Sequence, residues 1–214
     1  MLVFLKHRLV VFSTPKCGST ALEQALAPFS DIVLQGDPRI KHCTFHRYKW
    51  RFEKFLQIFD QTPMATTALI RHPRDWLGSW FRYRHGSWLD GTPQSTKGLS
   101  FDQFVQGYLA EEQPAFAAVG SQGRFLTHPK TGETVDHLFR YDAFSEFRVF
   151  LQERLGREFE LDRVNASADM ALALSPDLAG QLETACARDF ALYDAAHAPK
   201  PQSRLRGLMR ALAS

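Results

Sequence analysis

The sequence predicts an α/β fold, a parallel sheet flanked by helices with a mostly helical C-terminal half. Leu9–Phe12 and Thr66–Ile70 are short apolar runs, the first rich in β-branched residues, and each ends in a loop that opens a helical pattern. Asp31–Leu34 is a third strand of the same kind. Strands that alternate with helices need crossover connections, and crossovers produce parallel pairing. The 214 residues suit a single domain over 1–214, and 44% hydrophobic against 23% charged residues excludes a disordered chain. Repeats, low-complexity tracts and linkers are absent from the sequence.

The start, Met1–Phe12, is apolar but broken by Lys6, His7 and Arg8, which makes it too short and too charged for a signal peptide or a spanning helix. Ser19–Ala27 is a helix stopped by Pro28. Phe45, Tyr48, Phe52, Phe55, Leu56 and Phe59 share one face of the next helix, a stripe expected in the core. Pro73 suits the first turn of another helix. Gly86–Gly98 is a polar loop, and Ser100 caps a helix through Phe101, Phe104, Val105 and Tyr108. Arg124–His128 and Thr134–Phe139 are expected to pair as a hairpin around Pro129–Glu133. Ala143–Leu155 is a helix closed by Gly156, and Ser175-Pro176 opens the last one, with Leu178, Leu182, Ala185 and Tyr193 as apolar positions. The basic tail, 199–214, is expected to be mobile or bound to a partner.

Net charge is +3, mildly basic, and the cations cluster at Arg39–Lys54 and Arg71–Arg84. Such clusters suit an anionic ligand more than a nucleic acid, which usually needs a continuous basic face. Cys17, Cys43 and Cys186 show neither disulfide nor metal spacing, so reduced thiols in a cytoplasmic protein without a membrane span are expected.

The strongest chemical signal is Ser13-Thr14-Pro15-Lys16-Cys17-Gly18-Ser19-Thr20, set between a strand and a helix. Unpaired N–H groups and the helix dipole converge there on a ready-made anion site. Lys16 adds a charge, and Ser19 and Thr20 add hydroxyls. The loop is P-loop-like, yet Lys16 precedes its only glycine, so it is not GxxxxGK[ST]. The second signal is Arg71-His72-Pro73 followed by Ser79: an arginine fork at a strand end and a serine donor on the ensuing helix.

Together, in this order and placement, the two motifs resemble those of the sulfotransferases that use 3′-phosphoadenosine 5′-phosphosulfate (PAPS) as donor. The likeness is close over residues 8–85. Phe139-Arg140-Tyr141-Asp142 and Asp189-Phe190-Ala191-Leu192-Tyr193 match it only loosely. The family's C-terminal Arg-Lys-Gly contact has no equivalent beyond a faint echo at Arg206-Gly207. The resemblance implies that Pro15–Thr20 form the 5′-phosphosulfate loop, with Lys16 on the bridging oxygen and Gly18, Ser19 and Thr20 on the 5′-phosphate. Arg71 and Ser79 would hold the 3′-phosphate. It further implies PAPS as co-substrate, no metal, and transfer to a hydroxyl or amine on a small molecule or saccharide.

A base must take the acceptor's proton, a role that a His or Glu fills in this family. His42 sits on a loop after the Asp31–Leu34 strand and is preferred; His46, in the first turn of the next helix, and Glu23, expected to be solvated, remain alternatives. Trp50, Trp88 and Tyr83 are candidate acceptor platforms. Two rival readings stand beside this one, an Mg²⁺-dependent nucleotide kinase and a non-catalytic nucleotide- or polyanion-binding module.

Overall fold

The computed structural model describes residues 1–160, 170 and 172–196, so the tail 199–214 lies outside the described residues. In chain order, β1 (Leu2–Phe4) and β2 (Leu9–Val11) precede α1 (Ser19–Leu26) and β3 (Ile32–Val33). Then come α2 (Pro38–Lys41), α3 (Phe45–Arg47), a π turn over Tyr48–Phe52, α4 (Glu53–Gln57), β4 (Ala65–Ile70) and α5 (Pro73–Arg84). The rest comprises α6 (Phe101–Leu109), α7 (Gln122–Leu126), β5 (His137–Arg140), α8 (Phe144–Leu155), α9 (Pro176–Ala185) and α10 (Ala187–Asp194). Among the described residues after β4, β5 alone is a strand, which matches the expected helical C-terminal half.

The two-residue period of the strands decides the layering. Leu2, Phe4, Leu9, Val11 and Leu69 enter one hydrophobic core, while Met1, Val3, Val10, Ala68 and Ile70 enter the other. A sheet apolar on both faces must be covered on both. The first core is completed by Leu26 of α1, Phe81 of α5, Phe104 of α6, Leu151 of α8 and Leu182 of α9. Phe45 of α3, Leu56 of α4, Leu126 of α7 and Tyr193 of α10 complete the second.

The strand order is β3-β1-β2-β4-β5. β2, β4 and β5 are parallel, but β1 runs antiparallel to both β2 and β3, so the sheet is mixed rather than all-parallel. The cause is local. The charged break at Lys6–Arg8 is a turn, with Arg8 left-handed at φ 52, and it folds Leu2 back against Val11. Arg8 is then held by Asp60 at 2.8 Å and by the Thr62 carbonyl.

Three further expectations change. Arg124–His128 is not a strand: Ser121 caps α7 through Leu126, and the expected hairpin shrinks to one bridge, Thr127 to Thr134. Buried Asp189, which accepts from the Gln122 and Gly123 N–H groups, favours the helix. The final helix breaks at Cys186 into α9 and α10, and Ala185 is exposed. The aromatic stripe is divided, because the π turn adds a residue to one turn and rotates the positions C-terminal to it. Tyr48 and Leu56 stay buried, whereas Phe55 and Phe59 face outward. Ser100 does cap α6, in a capping box with Gln103, and Gly156 closes α8 in the left-handed region.

Candidate functional site

Because β2 and β4 are adjacent and parallel, the loops that leave their C-terminal ends emerge side by side. One carries Ser13–Gly18 and the other Arg71-His72. The structure therefore brings the two sequence motifs together: Arg71 Nη1 lies 3.5 Å from the Lys16 carbonyl.

In the first loop Lys16 and Gly18 both take left-handed backbone, at φ 63 and 75. Glycine does so freely, and any side chain at 18 would also crowd the Tyr141 ring at 3.3 Å. Lysine has no such freedom, and strain of this kind gathers at functional loops. Gly18 places no side-chain cap on α1, so the first-turn N–H groups of Ser19 and Thr20 have no intrahelical partner. Ser19 is buried, and Thr14 Oγ1 is buried without a partner among the described residues.

The Lys16 ammonium lies over the Tyr83 ring, 3.5 Å from its centroid, and 5.0 Å from that of Trp80. Burial first, and then repulsion from Arg71 and Arg84, lowers its pKa to about 8. Cys17, by contrast, points inward. Its thiol donates to Gln122 at 3.5 Å, and burial raises its pKa to about 12, so it stays protonated and only its backbone borders the loop.

α5 supports the loop along one face. Trp76, Trp80 and Tyr83 follow helical spacing; Trp76 Nε1 donates to the Pro15 carbonyl at 2.9 Å, and the other two rings flank Lys16. Only Tyr83 of these three is a candidate from the sequence, although their spacing was there to be read. Ser79 lies on the same helix as a buried side chain. Trp88 packs on Tyr83 at 5.4 Å, while Trp50 stacks on His46.

Arg71 is held mainly through its backbone. Gln122 accepts from its N–H at 2.8 Å and donates to its carbonyl at 2.7 Å, and Tyr141 lies under its guanidinium at 4.9 Å. The two loosely matching stretches meet here, since Tyr193 donates to Asp142 and Arg140 to the Tyr193 carbonyl. Sequence reasoning missed Gln122 and left Asp189 without a role; their partners lie more than fifty residues away, and no local pattern announces them. Asp189→Ala would orphan two buried N–H groups. We expect it to lower stability by about 2–4 kcal/mol in chemical denaturation, with Asp189→Asn losing less because one acceptor remains.

His42 ends α2. Its Nδ1 lies 2.6 Å from the Ser13 carbonyl, which can only accept, so Nδ1 carries the proton and Nε2 keeps its lone pair. Burial lowers the His42 pKa most, and Lys41 and the amino terminus lower it further, against opposing pulls from the Ser13 bond and Glu23. Glu23 is buried rather than solvated: its Oε2 pairs with Lys41 at 2.7 Å, while Oε1 is buried without a partner among the described residues. His46 lies in the first turn of α3, edge-on to His128 at 4.7 Å.

A pocket of about 260 Å³ opens beside the loop, lined by Thr14, Pro15, Thr44, Trp76, Gln122 and Arg124 among others. Trp50, Trp88 and Tyr83 are not among its walls. Among the described residues no group of three His, Cys, Asp or Glu side chains is arranged for a metal ion, and no helix is long and apolar enough to cross a membrane. Set against protein-family models, curated proteins and solved structures, the chain matches none of them.

Proposed function

We propose that this chain is a sulfotransferase that moves the sulfo group of PAPS to a hydroxyl or amine. The observation that carries the reading is the convergence of Lys16 and Arg71 at neighbouring strand ends, with a strained loop and an uncapped helix N-terminus between them. The cations would divide the donor: Lys16 and the first turn of α1 on the 5′-phosphosulfate, Arg71 and Ser79 on the 3′-phosphate. The acceptor would have to reach both Lys16 and His42, neither of which is among the walls of the pocket beside Thr14 and Pro15. Its oxygen or nitrogen attacks sulfur in line, the sulfur–phosphate oxygen bond breaks, and His42 Nε2 takes the acceptor's proton. Negative charge grows on the leaving phosphate oxygen, where the fixed ammonium of Lys16 stabilises it most.

The test is a thermal-shift series with 3′,5′-ADP, ATP and AMP, followed by a transfer assay in EDTA. Preference for 3′,5′-ADP with metal-free turnover supports the proposal. Preference for ATP with a strict Mg²⁺ requirement would mean a kinase, and binding without turnover a non-catalytic module. Arg71→Ala should weaken 3′,5′-ADP by about 2–4 kcal/mol while leaving AMP nearly unaffected. Since Gln122 holds the Arg71 backbone, the loop should survive the substitution. Equal weakening of both nucleotides in calorimetry would remove Arg71 from the 3′-phosphate.

A further inference from the structure

The helical stretch from α3 to α4 buries one face in the second core and leaves the other bare. Trp50 and Phe55 are 54% and 48% exposed there, and Ile58 and Phe59, just past α4, are 75% and 76% exposed. Arg51, Phe55 and Phe59 recur every four residues, as do Trp50, Lys54 and Ile58, so aromatic, aliphatic and cationic side chains share one surface. Phe55 and Phe59 pack edge to face at 5.4 Å, and the Arg51 guanidinium lies over Trp50 at 4.4 Å. The acids of this segment are engaged elsewhere, Glu53 with Lys49 at 2.6 Å and Asp60 with Arg8 at 2.8 Å. Among the described residues Arg47, Arg51 and Lys54 form no salt bridge.

We propose that this face docks on an anionic lipid surface. Cations interleaved with protruding apolar side chains match such a surface, where charge meets the headgroups and the apolar tips enter the acyl boundary. A second copy fits poorly, because a shared face would set Arg47, Arg51 and Lys54 against their own kind. The chain's own end is no better matched: residues 197–214 carry Lys200, Arg204, Arg206 and Arg210 and no acid. A nucleic acid could use the cations and Trp50, but offers no apolar phase for Ile58 and Phe59. The docking face includes none of Lys16, Arg71, Ser79 and His42, so either reading can fail without the other.

The experiment is co-sedimentation of the full chain with phosphatidylcholine vesicles, with and without phosphatidylserine. Binding should require phosphatidylserine and fade in high salt. Arg51→Gln and Lys54→Gln should each weaken it about five-fold. Ile58→Ser with Phe59→Ser should weaken it by about ten-fold or more without lowering the melting temperature, since both side chains are exposed. Binding that ignores phosphatidylserine, or that survives all four substitutions unchanged, overturns the proposal. So does single-stranded RNA binding or dimerisation through this face without vesicle binding.

Discussion

Lys16→Ala is expected to lower sulfo transfer by roughly two to three orders of magnitude, the scale of losing one preorganised transition-state donor. Lys16→Gly separates this catalytic loss from any structural one. Lysine at φ 63 carries strain of about 1–2 kcal/mol, which glycine removes. The cation–π contact over Tyr83 is worth about 0.5–1 kcal/mol in return. Lys16→Gly should therefore melt no lower than the parent while turning over as poorly as Lys16→Ala. A glycine variant that is markedly less stable, or that keeps near-normal turnover, would contradict this role. The ammonium pKa of about 8 adds a pH signature. A bound anion favours the protonated form, so affinity for 3′,5′-ADP should be full below about pH 8 and fall as pH rises through it.

His42→Ala should cut turnover by roughly 10²–10⁴ with donor affinity nearly unchanged, the expected range for losing a general base. Burial lowers the His42 pKa below its ordinary 6.5. The base is competent only when neutral, so the rate should rise with pH through that lowered value and be flat by neutrality. The acidic limb thus lies below 6.5, and it should vanish in His42→Ala. Because Nδ1 is committed to the Ser13 carbonyl, His42→Asn, whose amide nitrogen stands where Nδ1 does, should keep that bond and the loop geometry yet remain inactive. His46→Ala, removing a ring stacked against Trp50 and edge-on to His128, should leave the pH profile in place. If the limb moves with His46 instead, the base has been misassigned. If it survives in both variants, another group takes the proton.

Most elements were legible because their causes are local. Pro28, Pro73, Ser100 and Gly156 act within a turn of themselves, and period-two or period-3.6 spacing needs no distant partner. The misjudged elements turned on local backbone breaks whose geometry the apolar pattern hides, or on contacts across space. β1 was hidden inside an apolar start whose charged break is a turn, and its antiparallel pairing made the sheet mixed. α7 had strand-like residues, but Ser121 and buried Asp189 supply the caps of a helix. Phe55 and Phe59 kept to the apolar stripe in the sequence, and the π turn rotates them outward.

By itself, then, the sequence determined that the chain is α/β, that a cationic Gly-containing loop joins a strand to a helix, and that an arginine follows the strand ending at Ile70. These are short-range consequences of strand length, loop chemistry and helix signals. Only the tertiary structure decided that Lys16 lies between Arg71 and the Trp80–Tyr83 face, and that Gln122 ties Arg71 to Cys17. It also assigned His42 a tautomer and Glu23 a buried partner. Each of those facts rests on contacts between residues far apart in the chain, where burial and neighbouring charge, not local pattern, set geometry and protonation.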